Sequence, residues 1–248
     1  SAPGGHGRRV VTAGEATVRS ADGTTIGYRS IGVGPGLVVV GGALRAGRDY
    51  DDLAHHLADD ATVHLVDRRG RGASGPQGSE YGLCREVEDL LAVRAATGAR
   101  WVFGHSYGGL IVLECLRNHP VFTRAVVYEP GVSLDPFPMH WAAAYRRRLA
   151  RGDERGAFAE FVRGSGAAPA LLRRAPVSYL RLVLRAGFRG EAWERLRTLL
   201  ATNLAEHEQV AARAGSMADY AEIDTPVLVL SGLRSTATDR TFAELATT

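Results

Sequence analysis

The chain has 248 residues, a formal net charge of +3, and 45% hydrophobic against 23% charged residues. This is enough for one well-packed domain with room for an inserted subdomain, in the composition range of ordinary globular proteins. All 30 basic residues are arginine and lie scattered among acids, so the basic stripe of a nucleic-acid binder is missing; no apolar run approaches the ~20 residues of a membrane span.

In chain order, Ser1–Gly7 is a small, polar, flexible segment without the apolar centre of a signal peptide. Residues 16–19 and 25–28 read as two strands joined by a turn at Asp22-Gly23. Leu37-Val38-Val39-Val40 is an all-apolar run ended by Gly41-Gly42, which suits a parallel strand buried on both faces. A helix over 50–59, a strand over 63–66 and a helix over 84–97 follow, then a strand at Trp101, a helix over about 107–118 and a strand over 125–128. This alternation predicts an α/β class: a doubly wound, mostly parallel sheet. From 137 to 222 only helical stretches occur, with breaks near Gly152, Gly164-Ser165-Gly166, Pro176 and Gly187-Phe188-Arg189-Gly190. A strand resumes at Pro226–Leu230 and a last helix begins near Asp239. The expected division is a first core part over 1–136, a helical cap over 137–222 inserted after the sixth strand, and a second core part over 223–248. Arg146-Arg147-Arg148 and Arg173-Arg174 read as solvated helix faces. Cys84 and Cys115 lack metal-ligand spacing and read as buried thiols of a cytoplasmic protein.

The chemistry concentrates in Gly104-His105-Ser106-Tyr107-Gly108, a G-x-S-x-G pattern at the end of an apolar strand and the start of a helix. Such an elbow lifts one serine to the tip of a sharp turn, and side chains at 104 and 108 would crowd it. A serine hydroxyl needs a base, a group that orients the base, and two backbone N–H donors for the oxyanion. Tyr107 is placed to give one donor, and Gly42-Ala43, in the loop after the third strand, the other, with Ala43 as donor.

On these residues the chain resembles the α/β-hydrolase family, in its capped serine-hydrolase branch. The resemblance covers residues 15–248 and is carried also by Asp-Arg-Arg-Gly-Arg-Gly-Ala-Ser at 67–74, Val-Tyr-Glu-Pro at 127–130 and Thr-Pro-Val-Leu-Val-Leu-Ser-Gly at 225–232. Members commonly have His-Gly where this chain has Gly41-Gly42, a departure that leaves the backbone donor in place. The resemblance implies no cofactor and no metal. It puts the catalytic acid at the position of Ser235, which cannot serve, or, in some branches, at Glu129 at the end of the preceding core strand; Asp135 and a purely structural Glu129 are the alternatives. It puts the histidine after one further strand, beyond Thr248, with His105 turned away from the site and His140 and His207 in the cap as the alternatives. A last strand and helix of the family fold are then absent from the chain, leaving the strand at 227–230 as an edge open to pairing with a second copy as a homodimer.

The expectation is a serine hydrolase for a small-molecule ester, thioester or lactone with a hydrophobic acyl part, Trp141 and Tyr145 of the cap contacting the substrate beside Gly42. The alternative is a protein of the same fold that binds a small molecule, or that catalyses cyclisation or acyl transfer.

Overall fold

The computed structural model describes residues 13–165, 170–232 and 239–247. Ser1–Gly7 and Ser235 therefore lie outside the described residues. Seven strands form a single sheet: β1 (Ala13–Arg19), β2 (Thr25–Ile31), β3 (Gly36–Val40), β4 (Thr62–Asp67), β5 (Trp101–His105), β6 (Arg124–Tyr128) and β7 (Val227–Leu230), in the spatial order β1-β2-β4-β3-β5-β6-β7. β1 and β2 pair antiparallel with each other, and β2 antiparallel with β4; every remaining pair is parallel. The doubly wound, mostly parallel sheet is as the alternation predicted.

The apolar runs explain the two-sided burial. Along a strand successive side chains point to opposite faces. Val38, Val40, Val66, Val102 and Val127 pack on one face against α2 (Leu83–Thr97) and α3 (Tyr107–Asn118). Val39, Val63 and Leu65 pack on the other, with Ala54 of α1 (Asp51–Leu57) and Trp101 and Phe103 beside them. α2 stops at Gly98, whose φ of 66° is the left-handed C-terminal cap that glycine favours. Cys115 is buried on α3, but Cys84 is exposed, which corrects the expectation of two buried thiols. On α2 the buried positions are Leu83, Glu86, Val87, Asp89, Leu90 and Val93, and Cys84 falls off that stripe.

Between β6 and β7 the described residues form helices and turns only: α4 (Ala142–Ala150), α5 (Glu154–Gly164), α6 (Ala170–Arg174), α7 (Val177–Gly187), α8 (Gly190–Thr198) and α9 (Leu200–Ala212). Four of the five helix junctions fall at the Gly and Pro signals. The fifth, at Leu199 between α8 and α9, carries no such residue. The insertion has its own apolar cluster, built on Trp141, Tyr145, Phe158, Leu180, Trp193 and Leu200. Among the described strands β7 lies at the edge opposite β1, with Leu228 and Leu230 exposed, and α10 (Asp239–Thr247) packs near it.

A buried ion pair ties the turns at one end of the sheet together. Arg69, just after β4, donates from Nε and Nη2 to both oxygens of Asp89 on α2, at 2.8 and 2.6 Å, and from Nη1 to Asp22 in the β1–β2 turn at 3.0 Å. Removing one partner of a buried pair leaves the other charge desolvated and uncompensated. Asp89→Ala is expected to lower unfolding free energy by about 3 kcal/mol, read as a lower urea midpoint at unchanged slope.

Candidate active site

Ser106 sits between β5 and α3 with φ 53° and ψ −120°, a backbone conformation that a non-glycine residue adopts only under constraint. The constraint is visible. Ser106 N–H donates to Tyr128 O at 3.0 Å, and Ser106 O accepts from the N–H groups of Gly109, Leu110 and Gly131. The strand and helix then cross so closely that a Cβ at Gly108 would lie 2.1 Å from Val40 O, and one at Gly104 2.6 Å from Gly108 O. The motif glycines are thus required by contact, as the spacing implied.

The loop after β3 approaches the elbow from the side. A Cβ at Gly42 would stand 3.0 Å from Ser106 Cβ, so the Gly42-Ala43 backbone runs directly beside the serine. Gly42 N–H donates to the Tyr50 hydroxyl at 3.0 Å, and that hydroxyl lies 2.7 Å from His105 Nδ1. The Tyr50 hydroxyl thereby bridges the loop backbone and the His105 ring. Burial pushes the His105 pKa down. The ring is flanked by Tyr50 and Tyr128. Ala43 N–H and Tyr107 N–H bond to no other described residue.

Glu129 follows β6 with φ 45°, its N–H on Leu230 O at 2.9 Å, and its Oε1 accepts from Gly232 N–H at 3.1 Å. The carboxylate therefore spans the C-terminal ends of β6 and β7, next to the elbow. Asp135 is exposed, with Ser133 Oγ on its backbone oxygen.

Among the described residues no histidine nitrogen is hydrogen-bonded to Ser106 Oγ. His140 is exposed. His207, on α9, lies among Phe137, Trp141 and Phe161 at ring distances of 5.9, 5.6 and 4.9 Å, with Nδ1 2.8 Å from Asn203 O. Burial in this aromatic surround pushes its pKa down. Trp141 and Tyr145 belong to the packed interior of the insertion. The Tyr145 hydroxyl donates to Leu200 O at 2.7 Å, and the Trp141 indole N–H to Pro138 O at 2.9 Å.

Sequence reasoning missed the charged group behind the loop. Arg68, 2% exposed, donates from Nε to Gly41 O at 2.9 Å and from Nη2 to Gly42 O at 3.1 Å and Glu206 at 2.8 Å; its Nη1 donates to Glu86 at 2.6 Å. Its guanidinium carbon stands 4.9 Å from the centre of the Tyr107 ring. Arg71 donates to Arg45 O, Thr202 Oγ1 and Glu206. Burial alone would raise the Glu206 carboxyl, but Arg68 and Arg71 outweigh it and hold the pKa below the usual range; Glu86, with Arg68 as its direct ion-pair partner, is left above it by burial. The only signal in the sequence was the arginine pair directly after β4; nothing marked Glu206, 138 positions from its partner Arg68.

An alpha/beta hydrolase family profile matches residues 37–248. The chain belongs to the alpha/beta hydrolase family. A crystal structure of an alpha/beta hydrolase from Sphaerobacter thermophilus is 32% identical with a TM-score of 0.80, over 94% of this chain and 88% of that one. A hydrolase from Pseudomonas aeruginosa is 26% identical with a TM-score of 0.64, over 93% and 84%. An esterase from Rhodococcus shares the fold at 23% identity with a TM-score of 0.64, over 94% and 85%.

The depressed histidines set a pH dependence. A histidine whose folded pKa lies below its unfolded value of about 6.5 binds more protons when unfolded, so stability rises with pH through that window and falls on acidification. His64, His105 and His207 share this direction, each through burial. Urea midpoints should fall between about pH 7.5 and 5.5, above the carboxylate range, and His207→Phe should fall by less over the same interval.

Proposed function

We propose that the protein is a serine hydrolase that cleaves an ester, thioester or lactone with an apolar acyl part through an acyl-enzyme. The observation that carries this reading is Ser106 held at φ 53° in the elbow with the Gly42 backbone against its Cβ. In this reading Ser106 Oγ attacks the acyl carbon and its proton passes to a histidine, which the family pattern places one strand after β7. Glu129 orients that histidine. The Ala43 and Tyr107 N–H groups take the negative charge that develops on the carbonyl oxygen; donors fixed before the reaction stabilise it without reorganisation. Collapse expels the alcohol or thiol with the proton from the histidine, and water then releases the acid and Ser106.

The helical insertion acts as the cap that selects substrate. In this reading the half-buried Phe137 and Phe161 beside His207 give the cap an apolar, aromatic wall, and Trp141 and Tyr145 pack behind it, the Tyr145 hydroxyl committed to Leu200. Such a wall favours medium-sized hydrophobic acyl groups over charged metabolites.

On the full-length natural protein, a fluorophosphonate should label Ser106, and Ser106→Ala should lower ester turnover by at least about 10³-fold. A folded wild-type protein that resists the probe would fail the nucleophile assignment and favour a binding protein. Turnover in ¹⁸O-labelled water separates hydrolysis from cyclisation or acyl transfer: solvent oxygen in the product is the expected result. An ester panel should show apolar medium-chain esters preferred over acetyl and anionic ones in kcat/KM.

A further inference from the structure

The loop that would supply the oxyanion donor is Gly41-Gly42-Ala43, where two successive glycines leave the backbone soft. A peptide at such a site can rotate and turn its N–H away from the serine. Arg68 removes that freedom. It bonds two successive carbonyls of the loop, Gly41 O and Gly42 O, with different guanidinium nitrogens at fixed mutual angles. In a planar trans peptide the carbonyl of one residue and the N–H of the next point in opposite directions. With Gly42 O tied to Arg68 on the buried side, Ala43 N–H must face the other way. Gly42's own N–H is already taken by Tyr50. The same guanidinium lies over the ring of Tyr107, whose N–H is the second donor.

Two carboxylates keep Arg68 there: Glu86 of the core, on Nη1, and one from the insertion, on Nη2. Glu206, buried on α9, accepts from Arg68 with one oxygen and from Arg71 with the other. Arg71 in turn bonds Arg45 O, further along the same loop.

We propose that Arg68 is a positioning residue that aims the Ala43 N–H at the substrate's carbonyl oxygen, and that Glu206 holds it in place, so that a helix of the insertion governs the oxyanion site. This rests on the reading of Ser106 as nucleophile. Arg68 acts through the Gly42–Ala43 peptide and through Tyr107, with no contact to substrate required.

The test compares Arg68→Lys and Glu206→Gln with wild type in the full-length natural protein, on a medium-chain p-nitrophenyl ester and on a trifluoromethyl ketone, which mimics the tetrahedral intermediate. Lysine keeps the charge but cannot hold two carbonyls in a fixed fork. Arg68→Lys should lower kcat about 10²-fold with KM within about threefold, and weaken the ketone in parallel, as loss of an oxyanion donor does. Glu206→Gln should lower kcat about tenfold with the same split. Unchanged kcat in folded Arg68→Lys, or a rise in KM with ketone affinity intact, overturns the positioning role alone. Should Arg68→Lys fail to fold, Glu206→Gln decides by the same two constants. Ser106→Ala, run alongside, isolates the parent reading: turnover that survives it refutes the nucleophile and the role of Arg68 together.

Discussion

One buried guanidinium joins three parts of this molecule that the chain keeps far apart. Arg68 leaves the end of β4, holds two carbonyls of the loop after β3, pairs with Glu86 on α2 and meets Glu206 on α9. Burying charges of this kind is costly, and replacing such a group with packed apolar residues often leaves a protein no less stable. Arg71 Nε, also buried there, has no hydrogen-bond partner among the described residues, a further cost. The return is geometric. A hydrophobic replacement could fill the same volume, but it could not bond the Gly41 and Gly42 carbonyls, and the loop beside Ser106 would lose its fixed orientation.

Backbone strain is concentrated at the same place. Among the described residues three that are not glycine have positive φ: Leu44, Ser106 and Glu129. They follow β3, β5 and β6, which are neighbours in the sheet, so all three stand beyond the C-terminal ends of adjacent parallel strands. This is where open α/β sheets place their sites, because the loops there diverge and leave a crevice. Each strained residue is held by its surroundings: Ser106 by Tyr128 O and three N–H donors, Glu129 by Leu230 O, and Leu44 by packing on the insertion's cluster. Strain that is overdetermined in this way keeps a site in one geometry before substrate arrives.

His105 gives a second view of that rigidity. Lodged in the elbow, its Nδ1 lies 2.7 Å from the Tyr50 hydroxyl, which accepts from Gly42 N–H. The motif's variable position is thereby wired to the neighbouring loop through one hydroxyl, and burial pushes the imidazole pKa down.

The amino-acid sequence by itself determined the strand and helix order, the elbow and its glycines, and the position of the helical insertion. Those features are written in local patterns: apolar runs of four or five residues, a period-3.6 stripe, and glycine where a neighbouring backbone leaves no room for a Cβ. Most junctions of the insertion were legible for the same reason, and the one at Leu199 was not, because no glycine or proline marks it. Cys84 was misread because a buried stripe on a helix depends on which face meets the sheet. The loop clamp could not be read at all. Arg68, Arg71, Glu86 and Glu206 look like any surface charges in a chain with 30 arginines and 27 acids. Only the packing of α9 against the core brings a carboxylate 138 positions away into contact with Arg68, and only the loss of water there turns four ordinary charges into a device that fixes a peptide plane.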